Sequence, residues 1–199
     1  LELDPQDAAA WNNKGLVLAE LGRYEEALSC YDRALELDPQ DAAAWYNKGF
    51  ALVKLGRYKE ALSGYDRALE LDPQDAAAWN NKGNALVKLG RYKEALSCCD
   101  RALELDPQDA AAWNDKGLVL DELGRYEEAL SFYDRALELD PQNAAAWNNK
   151  GNALDELGRY EEALSCYDRA LELDPQDAAA WYNKGLVLAE LGRYEEALS

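Results

Sequence analysis

One register of the chain places an amide or a carboxylate two residues after a tryptophan, at Asn13, Asn47, Asn81, Asp115, Asn149 and Asn183. A carboxamide offers both a donor and an acceptor, so an even row of them can hold an extended backbone through its N–H and C=O groups. Such a grip would not read the side chains of the bound segment. The same row could instead bond neighbouring copies of the repeat to one another. Beside it, one place after each Trp, stand Asn12, Tyr46, Asn80, Asn114, Asn148 and Tyr182. Five places after stand Leu16, Phe50, Asn84, Leu118, Asn152 and Leu186. Eight and nine places after come Ala19-Glu20, Val53-Lys54, Val87-Lys88, Asp121-Glu122, Asp155-Glu156 and Ala189-Glu190. Differences between the copies concentrate on this one helical stripe. A solvated face free to drift would vary in the same places.

Other chemistry is sparse. With no histidine in the chain, the commonest metal ligand and the usual general base are both missing. Cys30, Cys98, Cys99 and Cys166 lack paired C-x-x-C spacing, so no zinc site is expected. Cys30, Cys98 and Cys166 share one repeat position two copies apart, a separation of roughly 20 Å for packed helices, too far for a disulfide. They read as small thiols in a reducing compartment. No catalytic residue, metal or cofactor is expected, and a bound enzyme activity would have to lie outside these residues. No apolar run reaches the ~18 residues of a membrane span. No signal segment is visible in a chain that begins at Leu1 and contains no Met, and the expected location is the cytoplasm. A net charge of −18 disfavours nucleic acid and anionic membrane surfaces and favours neutral or basic protein partners.

What must position the stripe is a strict repeat. The six Trp residues, from Trp11 to Trp181, are 34 residues apart throughout. Full copies occupy residues 8–41, 42–75, 76–109, 110–143 and 144–177, a shortened sixth occupies 178–199, and residues 1–7 are the tail of an earlier one. The second and third copies differ at four positions, as do the first and fourth, which points to duplication. Each copy predicts two helices. The first spans Ala8 to Leu21, with Asp41-type and Asn143-type N-caps, an apolar face of Trp11, Gly15 and Leu18, and a stop at Gly22. The second runs from about Tyr24 to Leu37, with Glu25 and Glu26 in its first turn and a stripe of Tyr24, Ala27, Leu28, Tyr31, Ala34 and Leu35; Pro39 ends it. The tryptophans are expected to be mostly buried between the two helices of their own copy.

The pattern W-x2-x-G-x2-L-x5-Y-x2-A-x3-Y-x2-A-x4-P, read as Trp11, Gly15, Leu18, Tyr24, Ala27, Tyr31, Ala34 and Pro39, resembles the tetratricopeptide repeat family along the whole chain. Lys14 departs from the usual Leu, and Leu18 from a frequent Tyr. The resemblance implies an all-α fold: one right-handed superhelical α-solenoid of tandem antiparallel helix pairs, in which small residues let helices approach and aromatic residues fill the gaps. It implies protein–protein interaction, with a peptide lying along a groove lined by the first helices. The candidate groove residues are Asn13, Asn47, Asn81, Asn149, Asn183, Tyr46, Phe50, Lys54, Asn84, Lys88, Asp121, Glu122, Asn152, Asp155, Glu156 and Tyr182. Their amides are similar to the asparagine ladder in the superhelix of O-linked N-acetylglucosamine transferase. The lysine clamp by which other members grip chaperone tails needs Lys one place after the Trp, and this chain has Asn or Tyr there.

Charge is unevenly spread. Lys and Arg counted against Asp and Glu leave −4 in the first full copy, zero in the second and third, and −5 in the fourth and fifth. Lys54 and Lys88 thus mark a mildly basic middle beside an acidic stretch from Asp121 to Glu156. No polar cap is written into residues 178–199, so head-to-tail self-association of chains is expected. A spacer array using its ends, or the regulatory region of a larger enzyme whose catalytic domain lies outside these residues, is the alternative function to peptide binding.

Overall fold

The computed structural model describes residues 6–197. Twelve helices, and no strand, are found among them. The first members of the pairs are α1 (Ala8–Glu20), α3 (Ala42–Lys54), α5 (Ala76–Lys88), α7 (Ala110–Glu122), α9 (Ala144–Glu156) and α11 (Ala178–Glu190). The second members are α2 (Tyr24–Leu37), α4 (Tyr58–Leu71), α6 (Tyr92–Leu105), α8 (Tyr126–Leu139), α10 (Tyr160–Leu173) and the short α12 (Tyr194–Ala197). Two compact units make up the chain, Leu1–Asp106 and Pro107–Ser199.

Local chemistry sets the ends. Asp41 caps α3 by accepting from the Ala44 N–H at 3.0 Å, and Asn143 does the same for α9 from Ala146, satisfying a donor that the helix start leaves orphaned. First helices end one residue earlier than expected, where Gly22 turns the backbone to φ +73°. Arg23 N–H then reaches back to the Leu18 carbonyl at 2.8 Å and Gly22 N–H to Ala19 at 2.9 Å, which closes the helix and starts the next within two residues.

Inside a pair, Tyr31 lies flat over Gly15, and a Cβ there would overlap its ring. The same contact recurs at Gly117 with Tyr133 and at Gly151 with Tyr167. Tyr31, Tyr65, Tyr133 and Tyr167 are accordingly the largest fully buried side chains. Between pairs, Ala34 and Leu35 of α2 meet Ala44 of α3, with Trp11 and Trp45 packed on the outside of that cluster. Ala136, Leu137 and Ala146 form the equivalent cluster in the second unit, flanked by Trp113 and Trp147.

The tryptophans therefore differ from expectation. Trp11, Trp45, Trp79, Trp113 and Trp147 are half-buried and Trp181 is exposed, and the rings serve the junction between consecutive pairs more than the interior of their own. The indole N–H is the reason. Trp45 Nε1 donates to the Pro39 carbonyl at 3.1 Å, and Trp79, Trp113, Trp147 and Trp181 repeat the bond, so each ring must stay at the turn where that carbonyl is exposed. Lys48 lies over the Trp45 ring, 5.3 Å from its centroid, and reaches Asp32 of the previous pair at 2.6 Å. Lys82, Lys150 and Lys184 pair likewise with Asp66, Asp134 and Asp168. The Trp and Lys of the repeated Trp-Asn-Asn-Lys-Gly stretch are thus junction hardware.

Candidate functional site

Four of the amides two places after Trp, Asn47, Asn81, Asn149 and Asn183, reach the preceding pair. Asn47 Nδ2 donates to Asn12 Oδ1 at 3.0 Å and Asn81 Nδ2 to the Tyr46 hydroxyl at 2.8 Å. In the second unit Asn149 Nδ2 donates to Asn114 Oδ1 at 3.1 Å, while Asn183 Nδ2 is shared between Asn148 Oδ1 and Asn152 Oδ1 at 3.2 and 2.9 Å. The amide nitrogens brace adjacent pairs. Among the described residues, no protein donor reaches the Oδ1 of Asn47, Asn81 or Asn149. Asn13 is exposed on α1, the first helix described.

Two cavities open on the first-helix face, one in each unit, and both hold about 450 Å³. The first lies between α1 and α3 and gathers Tyr46, Asn47, Phe50 and Lys54 with Leu16, Glu20 and Tyr24. The second lies between α7 and α9 and gathers Asp121, Glu122, Asn149, Asn152 and Glu156 with Leu118 and Tyr126. They are the same seat three repeats apart. Leu16 matches Leu118, Glu20 matches Glu122, Tyr24 matches Tyr126 and Asn47 matches Asn149. The remaining matches change character: Ala19 becomes Asp121, Phe50 becomes Asn152, and Lys54 becomes Glu156.

Electrostatics follow those changes. Lys54 Nζ sits 5.1 Å from the Phe50 ring centroid, a cation–π contact over an apolar wall. Tyr46 stands 6.0 Å from the buried Tyr65 ring, tilted by 56°. In the second seat the Tyr133 hydroxyl donates to Asp121 Oδ2 at 2.5 Å, yet Asp121 Oδ1 is buried without a protein partner. Burial pushes the Asp121 carboxyl up to about 6; the Tyr133 bond opposes this, and the charges of Glu122 and Glu156 add to it. Asp155 is raised for the same leading reason, with help from Glu156 and Glu190. The Tyr126 phenol is raised chiefly by the Glu156 charge.

Not every candidate is gathered in. Asn81 and Asn183 act through their braces, Lys88 is exposed, Asn84 is half-buried, and Tyr182 is 67% exposed on α11. Tyr24 and Tyr126 line the seats although their spacing assigns them to the stripe of the second helix. Their position at its first turn, facing the preceding helix end, is the signal that marks them.

Reactive chemistry is weak elsewhere. All four cysteines are buried and none is in a disulfide, and burial raises Cys30 and Cys98 and pushes Cys166 up to about 11, the opposite of an activated nucleophile. Among the described residues no group of three or more Cys, Asp or Glu could hold a metal ion. No helix is long and apolar enough to cross a membrane among the described residues.

A family model described as "Tetratricopeptide repeat" matches residues 46–109, 80–144 and 148–199, and one described as "TPR repeat" matches residues 15–56. No curated protein matches the chain in sequence. Among solved structures it is similar to YrrB, described as a TPR protein with an unusual peptide-binding site. That likeness has 34% identity and a TM-score of 0.72 over 91% of this chain and 93% of that one. It is also similar to TTC0263, a thermophilic TPR protein of Thermus thermophilus, at 27% identity and a TM-score of 0.75 over 92% of this chain and 99% of that one. MamA from Desulfovibrio magneticus RS-1 aligns at 27% identity and a TM-score of 0.77 over 89% of this chain and 100% of that one.

Proposed function

The chain belongs to the tetratricopeptide repeat family, and on that premise we propose that it is a non-catalytic protein-interaction module whose first-helix faces hold extended peptide segments. One observation carries this reading: first-helix positions where the copies differ, at Leu16, Ala19, Tyr46, Phe50 and Lys54 and at Leu118, Asp121, Asn152 and Glu156, line the two cavities. YrrB, which shares 34% identity, is described as peptide-binding, in keeping with it. The Asn nitrogens brace the scaffold, while the acceptor oxygens of Asn47 and Asn81 in the first unit, and of Asn149 in the second, are left for backbone N–H groups of a strand bound to that unit. The first-unit seat takes an apolar side chain against Leu16, Tyr46 and Phe50. The second-unit seat takes a lysine or arginine side chain, since Asp121, Glu122 and Glu156 converge on it.

Replacing Asn47, Asn81 and Asn149 together by Ala should weaken binding of library-selected peptides at least tenfold while helicity by circular dichroism changes little. Swapping Lys54 and Lys88 to Glu should shift the selected peptide charges. Peptides whose affinity ignores all five positions would sink the proposal.

A second reading rests on the exposed apolar residues, which gather on α1 (Leu16, Val17) and on α11 and α12 (Trp181, Tyr182, Leu186, Tyr194). Such faces would stack head to tail. Sedimentation from micromolar to millimolar concentration tests this, and a strictly monomeric species throughout would contradict it.

A further inference from the structure

A third cavity, of about 480 Å³, lies outside both peptide seats, among α2, α3 and α4 of the first unit. Its floor is apolar: Leu28, Trp45, Leu52 and Gly64. Its rim carries three carboxylates and two cations, all of them engaged in ion pairs. Lys48 pairs with Asp32 at 2.6 Å, and Arg57 pairs with Glu60 at 2.6 Å and with Glu25 at 3.7 Å. An ionic ligand would have to break these pairs, so a neutral group fits best.

The same hollow recurs one repeat later among α4, α5 and α6, at about 650 Å³ with Trp79, Lys82 and Cys98, so Gly64 does not open the cavity but leaves it without a side chain at this place. At the same repeat position stand Cys30, Cys98, Phe132 and Cys166. A Cβ at Gly64 would lie 3.1 Å from Gly49 Cα and from the Trp45 carbonyl oxygen. Trp45 lines the cavity beside Lys48. In the fourth repeat the protein fills the matching place itself. Phe132 stacks on Trp113, with ring centroids 5.7 Å apart and planes 25° from parallel. Lys116 then lies 4.2 Å from the Phe132 centroid, whereas Lys48 in the second repeat rests 5.3 Å from Trp45. The lysine turns to the added ring.

We propose that the hollow beside Gly64 is a binding site for an aromatic side chain, the phenyl ring of a Phe in a partner protein, which stacks on Trp45 beneath Lys48 as Phe132 stacks on Trp113 beneath Lys116. Stacking and the cation–π contact select an aromatic ring over an aliphatic group of equal size. The volume is several times the ~150 Å³ known to hold benzene, which leaves room for the segment that carries the ring.

N-acetyl-phenylalanine amide is the probe, titrated against the whole chain while the indole N–H resonances are followed by NMR. Trp45 should shift saturably in the wild type. Gly64→Phe, which copies the residue of the fourth repeat, should weaken the response at least tenfold. Phe132→Gly should create a new saturable response at Trp113 and so tests the account should Gly64→Phe fail to fold. The cyclohexylalanine analogue should bind at least threefold more weakly than the phenyl probe. No saturable Trp45 shift, an equal shift in folded Gly64→Phe, no gain in Phe132→Gly, or equal binding of the cyclohexyl analogue would each overturn the assignment.

Discussion

The two first-helix seats share a backbone and differ in chemistry. In the first unit Leu16, Tyr46 and Phe50 make an apolar wall with one cation, Lys54; in the second, Asp121, Glu122 and Glu156 surround Asn149 and Asn152. The contrast runs into the core. Tyr133 finds Asp121 and Tyr167 finds Asn152 Oδ1 at 2.9 Å, whereas the Tyr65 hydroxyl is buried with no protein partner. The residues 12 and 15 places before Tyr65 are Val53 and Phe50, which cannot accept its proton. A first-helix residue thus sets both the character of the cavity wall and whether the tyrosine beneath it is satisfied. The repeated scaffold is constant, and a few positions per pair determine the rest.

Truncating a tyrosine of the second unit should break the comparison most severely. Tyr133→Ala should cost about 3–5 kcal/mol, in the range for large aromatic deletions. Trp113→Ala should cost less, about 2 kcal/mol, because its ring is only partly buried. Urea melts followed by circular dichroism measure both, and the reverse order would mean the junction carries more of the stability than the pair interior.

Removing hydroxyls should give opposite signs in the two units. Tyr133→Phe deprives a partly buried carboxylate of its donor and should destabilise by about 1.5–3 kcal/mol. Tyr65→Phe removes an unsatisfied polar group and should be neutral or stabilising by up to ~1 kcal/mol. Equal losses from both would show that the Tyr65 hydroxyl is satisfied after all, for instance by water.

The smallest effect is a pH dependence. Asp121 titrates in the folded protein near about 6, above its ordinary value, so the folded chain holds this proton more tightly than the unfolded one. Its contribution is therefore fully present at low pH and is lost as pH rises through about 6. Asp121→Asn should remove that loss and exceed the wild type in stability at pH 8 by on the order of 1 kcal/mol, a figure reduced for partial exposure. At pH 4 the two should be nearly equal. A constant difference across the range would reject the titration.

Much of this fold is written in the 34-residue period. Gly22 and Pro39 mark the stops, and helix ends fall within a residue of expectation, because caps and breakers act locally. Trp burial was less legible. Nothing in one copy says that an indole N–H will be claimed by the turn carbonyl at Pro39, which holds the ring at the surface. The seats were legible as positions, since variation clusters there, but not as cavities. The direction of the Asn bonds was hidden as well: it depends on what the previous copy offers, Asn12 to Asn47 but a tyrosine hydroxyl to Asn81. Gly64, a costly residue when read within a helix, acquires its reason only when α3 is placed against it.

Calorimetric titration of a lysine- and arginine-rich extended peptide tests the central claim most directly, run against the wild type, a Lys54→Glu/Lys88→Glu variant and an Asp121→Asn/Glu122→Gln/Glu156→Gln variant. The account predicts salt-sensitive binding that is lost at least tenfold when the three carboxylates are neutralised. The two lysine reversals should leave it intact or tighten it. Binding that survives neutralisation of Asp121, Glu122 and Glu156 unchanged would contradict the assignment of the second-unit seat, and with it the claim that the variable positions write the chemistry of the face.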